Sequence, residues 1–226
     1  MNDGGAARVL AVYGGTTFLV YLETNGFTQQ TQSMMLGLPL MALSFLSLTS
    51  SMQPRARLGT AASFATLAIS RYLIVSKSSY EGMEIGYILV TLGNLMYLYS
   101  FHHLIEEWSI ALSMFVTMFY CTFTYICFAD LSASIPFLVF LHSLSFGSAC
   151  LLVVAAGSVC MNPTETDSDT YQASIIRFVG TLGNMVSNSI FLASLFGRRV
   201  ETLQVSSRVM FYIAQGLMYL ANERTF

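Results

Sequence analysis

The stretch IPFLVFLHSLSFGSACLLVVAAGS, residues 135–158, contains no Asp, Glu, Lys or Arg. A helix needs about 20 mostly apolar residues to cross the hydrocarbon core of a bilayer. This stretch is therefore long enough and apolar enough to span a membrane as a single helix.

The composition of the whole chain agrees with that interpretation. Of its 226 residues, 54% are hydrophobic and only 10% are charged, whereas soluble domains contain roughly 25% charged residues. Too few ionisable side chains remain to cover a soluble body of this size, but a surface that faces lipid needs none. The composition thus predicts an integral membrane protein.

The same criterion identifies seven further apolar stretches along the chain. The eight predicted helices lie near residues 6–23, 34–52, 58–76, 83–101, 108–128, 135–158, 176–196 and 205–222. Their connections are short except for a polar loop from Met161 to Ile175. We therefore predict an all-α, polytopic transmembrane helix bundle that forms one domain over residues 1–226, and a multi-pass protein whose orientation, organelle and oligomeric state the sequence leaves open.

Several function classes find no support in the sequence. The net charge is -2 and the longest basic cluster is Arg198-Arg199, so no nucleic-acid partner is expected. The four cysteines lack metal-ligand spacing, and we find neither a His-Glu-x-x-His motif nor a phosphate-binding loop. We expect no metal and no cofactor.

Short sequence words recur four helices apart. Helices 3 and 7 contain Ala68–Arg71 and Met185–Asn188, and helices 4 and 8 contain Leu95–Leu98 and Leu217–Leu220. A 4+4 internal repeat and chance recurrence both explain this pattern. A true repeat would place Arg71 opposite Asn188 across the interface of the two halves, where membrane proteins often bind ligands.

Polar side chains inside the predicted helices are the candidates for function. An ionisable residue in a membrane span is a functional hypothesis by default, and Arg71 is the clearest example. The alternative is that Arg71 extends to the membrane surface beside Lys77. Asn94, Asn184 and Asn188 lie on stripes with glycine at helical spacing, which indicates either close helix packing or a polar site.

The order of several motifs resembles the YhhN-like lysoplasmalogenase family. The matching positions are Leu38-Pro39, Ser70-Arg71, Gly86 with Asn94 and Tyr97, Pro136 with Phe140, Arg177 and Gly180 with Ser187-Asn188, and the closing residues Phe211–Met218. The resemblance covers nearly the whole chain. It implies an eight-helix membrane fold and a membrane-lipid partner, either a lysophospholipid or a lysoplasmalogen.

The reaction that the resemblance implies is hydrolysis of the vinyl ether of a lysoplasmalogen to a fatty aldehyde and a glycerophospho-base. The family-equivalent catalytic positions are Arg71, Asn94 and Asn188, where the family has Asp, His and Asp or a substitute. Leu38 stands where the family has Lys. The accompanying substrate-binding candidates are Ser70, Tyr97, Ser187, Tyr212 and Gln215.

These substitutions leave more than one function open. An Arg cannot release a proton at cellular pH, and an amide is neither a general acid nor a general base. A hydrolase would need another proton donor, for which Glu84, Tyr97 and His142 are candidates. The alternatives are a lipid-binding or regulatory protein, in which Arg71 pairs with a lipid phosphate, and a small transporter.

Overall fold

The protein is a bundle of eight helices in a computed structural model that describes residues 7–28, 33–76, 80–162, 168–196 and 201–226. Helix α1 starts with the π-helical turn Leu10–Gly14 and continues as the α-helix Gly15–Glu23. The other helices are α2 (Ser33–Leu48), α3 (Pro54–Val75), α4 (Tyr80–Phe101), α5 (Ile110–Phe128), α6 (Pro136–Met161), α7 (Ser168–Phe196) and α8 (Glu201–Thr225), with a 3₁₀ turn at His102–Leu104. No strand occurs in these ranges, which confirms the predicted fold class.

Four predicted boundaries shift by four residues or more. Helix α2 ends at Leu48 rather than near residue 52, and α8 begins at Glu201 rather than near residue 205. Helix α7 begins at Ser168, so the polar loop predicted from Met161 to Ile175 is too long. Hydropathy missed the first two turns of α7 because they are polar, although Asp169 in the first turn suits the positive end of a helix dipole. Helix α3 likewise starts earlier than predicted, at Pro54, because proline fits the first turn of a helix, where its missing N–H costs nothing.

Length and apolar composition qualify four of the described helices as membrane spans. These are Pro54–Val75, Ile110–Phe128, Pro136–Met161 and the Ser168–Ser194 part of α7. Helix α2 is apolar but shorter. The chain is therefore a helical membrane protein.

The helices pack most extensively in sequential pairs, with α7 against α8, α3 against α4, and α2 against α3. Glycines permit these close contacts. A Cβ atom on Gly180 of α7 would lie 3.1 Å from the backbone nitrogen of Met218 in α8, and one on Gly93 of α4 would lie 2.8 Å from Cγ of Leu67 in α3. The predicted glycine stripes on α4 and α7 are thus helix-packing surfaces.

Contacts between the two halves follow a reciprocal pattern. Helix α4 contacts α6, and α8 contacts α2, which are equivalent pairs if α1–α4 and α5–α8 are repeats. Helix α6 is the most enclosed of the apolar helices, since half of its spanning window is buried, whereas α5 is buried over only 6% of its window. The polar residues of interest lie around α6, on α3, α4 and α7.

Candidate functional site

A small cavity between α3, α4, α6, α7 and α8 is lined by all three predicted catalytic positions. The lining residues comprise one guanidinium, three amides, one imidazole, one phenol, one aliphatic hydroxyl and a set of apolar side chains: Leu67, Arg71, Ile74, Tyr87, Val90, Asn94, His142, Ser145, Phe146, Asn184, Asn188, Phe191, Leu192 and Phe211. Its volume is about 40 Å³. Since one water needs roughly 10–15 Å³ by this measure, the cavity has room for only a few water molecules.

Arg71 reaches the cavity from the last turns of α3. Its guanidinium carbon lies 3.8 Å from the centroid of the Phe211 ring on α8, a cation–π contact. The side chain is half-buried. Arg71 therefore faces the bundle interior in this structure, whereas the neighbour proposed for it at the membrane surface, Lys77, lies outside the described residues.

The other two catalytic positions lie on the same cavity. Asn94 of α4 is buried, and its Nδ2 donates to Oγ of Ser148 on α6 at 2.8 Å. Asn188 lines the cavity from α7. The structure thus brings together Arg71 and Asn94, from the consecutive helices α3 and α4, and Asn188 from the distant helix α7.

Of the three alternative proton donors, Glu84, Tyr97 and His142, His142 lines this cavity and the other two do not. It is buried on α6, and the centroids of its ring and the Tyr87 ring are 3.6 Å apart. Glu84 is absent from the lining, and the hydroxyl of Tyr97 donates to the carbonyl oxygen of Met218 at 2.8 Å. If a proton is transferred in the cavity, the geometry favours His142.

None of the five substrate-binding candidates lines the cavity. Ser70 donates to the carbonyl of Leu67 within its own helix, and Tyr212 donates to the carbonyl of Leu36 on α2. The Tyr97 hydroxyl is engaged with α8, as described above.

The remaining two candidates connect α7 to α8. Ser187 donates to the carbonyl oxygen of Ser207 at 2.8 Å, and Gln215 donates to Oδ1 of Asn184 at 3.1 Å. Their side-chain hydrogen bonds hold helices together. All five side chains thus lie away from this cavity in the described structure, and their role as substrate ligands stays a prediction.

Sequence reasoning missed Tyr87, Ser145 and Phe211 as lining residues. Each belongs to a different helix, and although Phe211 opens the closing motif of the family resemblance, no local pattern shows that these three side chains line a cavity. Asn184 was noted in a stripe of α7 but not assigned a role. Only the helix arrangement reveals which of these side chains meet.

The electrostatic character of the cavity is simple. Arg71 is its sole cationic side chain, and no Asp or Glu within the described residues lines it. The amides of Asn94, Asn184 and Asn188 supply both donors and acceptors. Such a set can bind an anion and neighbouring hydroxyl groups, whereas it lacks the paired carboxylates that the family resemblance leads one to expect.

Comparisons of the chain with protein-family models, with curated proteins and with solved structures find no match.

Proposed function

We propose that this chain is a multi-pass membrane protein that binds the headgroup of a lysophospholipid at the cavity formed by Arg71, Asn94 and Asn188. The observation that carries the proposal is a cation placed among amides inside a membrane bundle, with no carboxylate lining the same cavity in the described ranges. We take the class of lipid from the resemblance of the chain to the lysoplasmalogenase family, and we propose an ether lysophospholipid as the preferred ligand.

A phosphate is the ligand group that best suits Arg71. The guanidinium offers a planar set of donors that matches phosphate oxygens, and such charge-assisted bonds are stronger than neutral ones. In the described structure the guanidinium of Arg71 lies against the Phe211 ring, and no carboxylate of the described residues lines its cavity. A lipid phosphate would supply the missing negative charge, while the amides of Asn94 and Asn188 would bind the glycerol hydroxyl.

Ligand binding requires the cavity to expand. A volume of about 40 Å³ holds a few waters but no phosphoglycerol group. We propose that the eight helices all cross the bilayer, that the lipid enters sideways from one leaflet, and that the Arg71–Phe211 contact opens to admit the headgroup. The Phe211 ring then serves as the partner of Arg71 until the lipid phosphate replaces it.

Hydrolysis of a vinyl ether is a second candidate function. It is favoured by His142, which lines the same cavity as Asn94 and Asn188. A protonated His142 would give its proton to the vinyl carbon and generate an oxocarbenium-like cation. Water would add to this cation and return a proton to the now neutral His142. The hemiacetal would then transfer its hydroxyl proton to the glycerol oxygen as the carbon–oxygen bond breaks, which gives a fatty aldehyde and a glycerophospho-base. The cavity has room for the water that this reaction consumes.

One experiment separates binding from hydrolysis. Purified protein is incubated with a lysoplasmalogen or with its saturated ether analogue, and bound lipid and released aldehyde are both measured. Binding of both lipids without aldehyde supports the binding function, and aldehyde from the vinyl ether alone supports the hydrolase. Binding of neither lipid contradicts both functions.

The residue test uses Arg71→Gln with Arg57→Gln as a matched control in the first turn of the same helix. Loss of a charge-assisted contact should weaken lysophospholipid binding about tenfold or more, whereas the control should bind like the parent. Equal affinity in the two variants would remove Arg71 from the site.

A further inference from the structure

A second and larger cavity lies at the other end of the bundle. Gln53, which precedes α3, lines this cavity, whereas Arg71 lies in the last turns of α3. The remaining lining residues come from the turn and loop after α4, the end of α6, the start of α7 and the end of α8: His103, Leu104, Glu106, Val159, Thr170, Tyr171, Ser174, Arg177, Thr225 and Phe226. Its volume is about 240 Å³, against about 40 Å³ for the Arg71 cavity, so it can hold a group much larger than a few waters.

Arg177 is the unusual residue of this cavity, because its side chain is only 1% exposed. One terminal nitrogen donates to Oδ1 of Asn222 at 3.2 Å and to Oγ1 of Thr225 at 2.7 Å. The guanidinium carbon also lies 4.8 Å from the centroid of the Phe101 ring. All of these partners are neutral.

The charge of Arg177 therefore lacks an anionic partner in the described structure. Its Nε is buried and has no hydrogen-bond partner. A buried cation without a counter-charge carries a large desolvation cost, and a buried polar atom without a partner adds to that cost. Both deficits point to a ligand that brings negative charge and acceptor oxygens.

Further basic side chains lie near this cavity. Nη2 of Arg55 lies 3.1 Å from Nδ1 of His102, and the guanidinium carbon of Arg55 is 4.4 Å from the centroid of the Tyr99 ring. Burial lowers the pKa of His103, which lies in the 3₁₀ turn after α4. The positive charges of Arg55, His102 and Arg177 lower this pKa further. The carboxylate of Glu106 lines the same cavity, and its side chain is exposed.

We propose that this cavity binds a phosphate group, with Arg177 as its main ligand and His103 and Gln53 as further donors. Phosphate fits better than a carboxylate because it offers more acceptor oxygens to the several donors around the cavity. The phosphate can belong to an anionic lipid headgroup at this membrane surface or to a soluble phosphate compound. This site is separate from the Arg71 cavity and does not depend on the function proposed there.

The test measures thermal unfolding of the full chain in detergent with inorganic phosphate, against chloride at equal ionic strength. The parent should gain stability saturably with phosphate, because a ligand that binds only the folded state stabilises it. Arg177→Gln should abolish the gain and His103→Ala should weaken it, while Arg224→Gln, which removes an exposed charge near the same end of α8, should keep it. Glu106→Gln should strengthen phosphate binding, because it removes a like charge from the cavity.

A second arm identifies the source of the phosphate. Nanodiscs of phosphatidylcholine alone are compared with nanodiscs that also contain phosphatidic acid. Stabilisation by phosphatidic acid that Arg177→Gln removes indicates a lipid headgroup, and stabilisation only by free phosphate indicates a soluble ligand.

Two results would overturn the proposal. One is a parent that gains no stability from either source, and the other is a gain that persists unchanged in Arg177→Gln. If Arg177→Gln does not fold, His103→Ala and Glu106→Gln decide the matter, because affinities equal to the parent in both variants would also reject the site. A failure here leaves lipid binding at Arg71 unaffected, since that function is measured with lysophospholipid and the Arg71→Gln variant.

Discussion

Arg71 and Asn188 extend from different helices into one cavity, so the identity of these two side chains determines which chemical groups meet there. A carboxylate at each position would restore the groups that the family resemblance implies. The present pair cannot exchange protons, because Arg stays charged and Asn stays neutral at cellular pH. The identity of these two side chains is thus the main argument for binding over hydrolysis.

The double variant Arg71→Asp with Asn188→Asp should release more aldehyde from a lysoplasmalogen than the parent does. General acid–base groups contribute about 10²- to 10⁴-fold each when they are placed correctly. The folded fraction is checked by gel filtration, since two buried carboxylates can destabilise the bundle. Asn162→Asp, which adds a carboxylate at an exposed position, is the control and should not change aldehyde release.

A parent protein that already cleaves lysoplasmalogen rapidly would contradict these roles. In that case His142→Asn should abolish cleavage, because His142 is the remaining acid–base candidate on the cavity. Cleavage that survives His142→Asn would place the chemistry elsewhere.

Removal of the Asn222 side chain should destabilise the protein, because Asn222 forms hydrogen bonds with three buried polar side chains. Its Nδ2 donates to Oγ1 of Thr60 and to Oγ of Ser100, both at 2.8 Å, and its Oδ1 accepts from Arg177. Asn222→Ala leaves these buried groups without their partner, and each such group costs about 1–3 kcal/mol. We expect a clear drop in the unfolding temperature in detergent.

The control for Asn222 is Asn162→Ala, an exposed amide that donates to the carbonyl of Glu107 at 3.3 Å. An exposed amide exchanges its protein partner for water at little cost. Equal destabilisation by the two substitutions would show that the Asn222 network does not stabilise the bundle.

At the scale of the elements, Gly180 tests how closely α7 and α8 must approach. An added Cβ would meet backbone atoms of α8, 3.1 Å from the nitrogen of Met218 and 3.2 Å from the carbonyl oxygen of Ala214. Because backbone cannot rotate away, Gly180→Ala should separate the helices and lower the unfolding temperature. Gly15→Ala in α1 has nothing within 4 Å of the added atom and should be neutral or stabilising by up to about 1 kcal/mol. The reverse order of stabilities would refute the packing role of Gly180.

The sequence predicted the helices well because each is a long apolar stretch bounded by polar residues, as in residues 135–158. The predicted start of α7 was wrong, because the first turns of this helix consist of polar residues. The stripe argument also placed Asn94 and Asn188 correctly on inward faces. It could not show that Tyr97 and Tyr212 use their hydroxyls to bond neighbouring helices, because such pairing depends on how the helices are rotated and which of them meet.

At the scale of the whole molecule, the two cavities lie towards opposite ends of the bundle and differ in what surrounds their cations. Arg71 stacks on an aromatic ring in a cavity that holds little more than water, whereas Arg177 lies beside a cavity about six times larger by volume. If the bundle spans a bilayer, the two sites face opposite leaflets. Ligands for the two sites must then arrive from different sides of the membrane.

The orientation of the chain provides the final prediction. Eight helices that all cross the bilayer return the C-terminus to the side where the N-terminus lies, because each crossing reverses the side. Tags fused at Met1 and Phe226 should therefore have equal access to an added protease in sealed vesicles, either both cleaved or both protected. A third tag in the connection between α1 and α2, at Thr28, should show the opposite access and serves as the internal control. Opposite access at the two ends would mean an odd number of crossings. In that case one of the helices that falls short of the length and hydropathy of a span, such as α1 or α2, would lie within one leaflet.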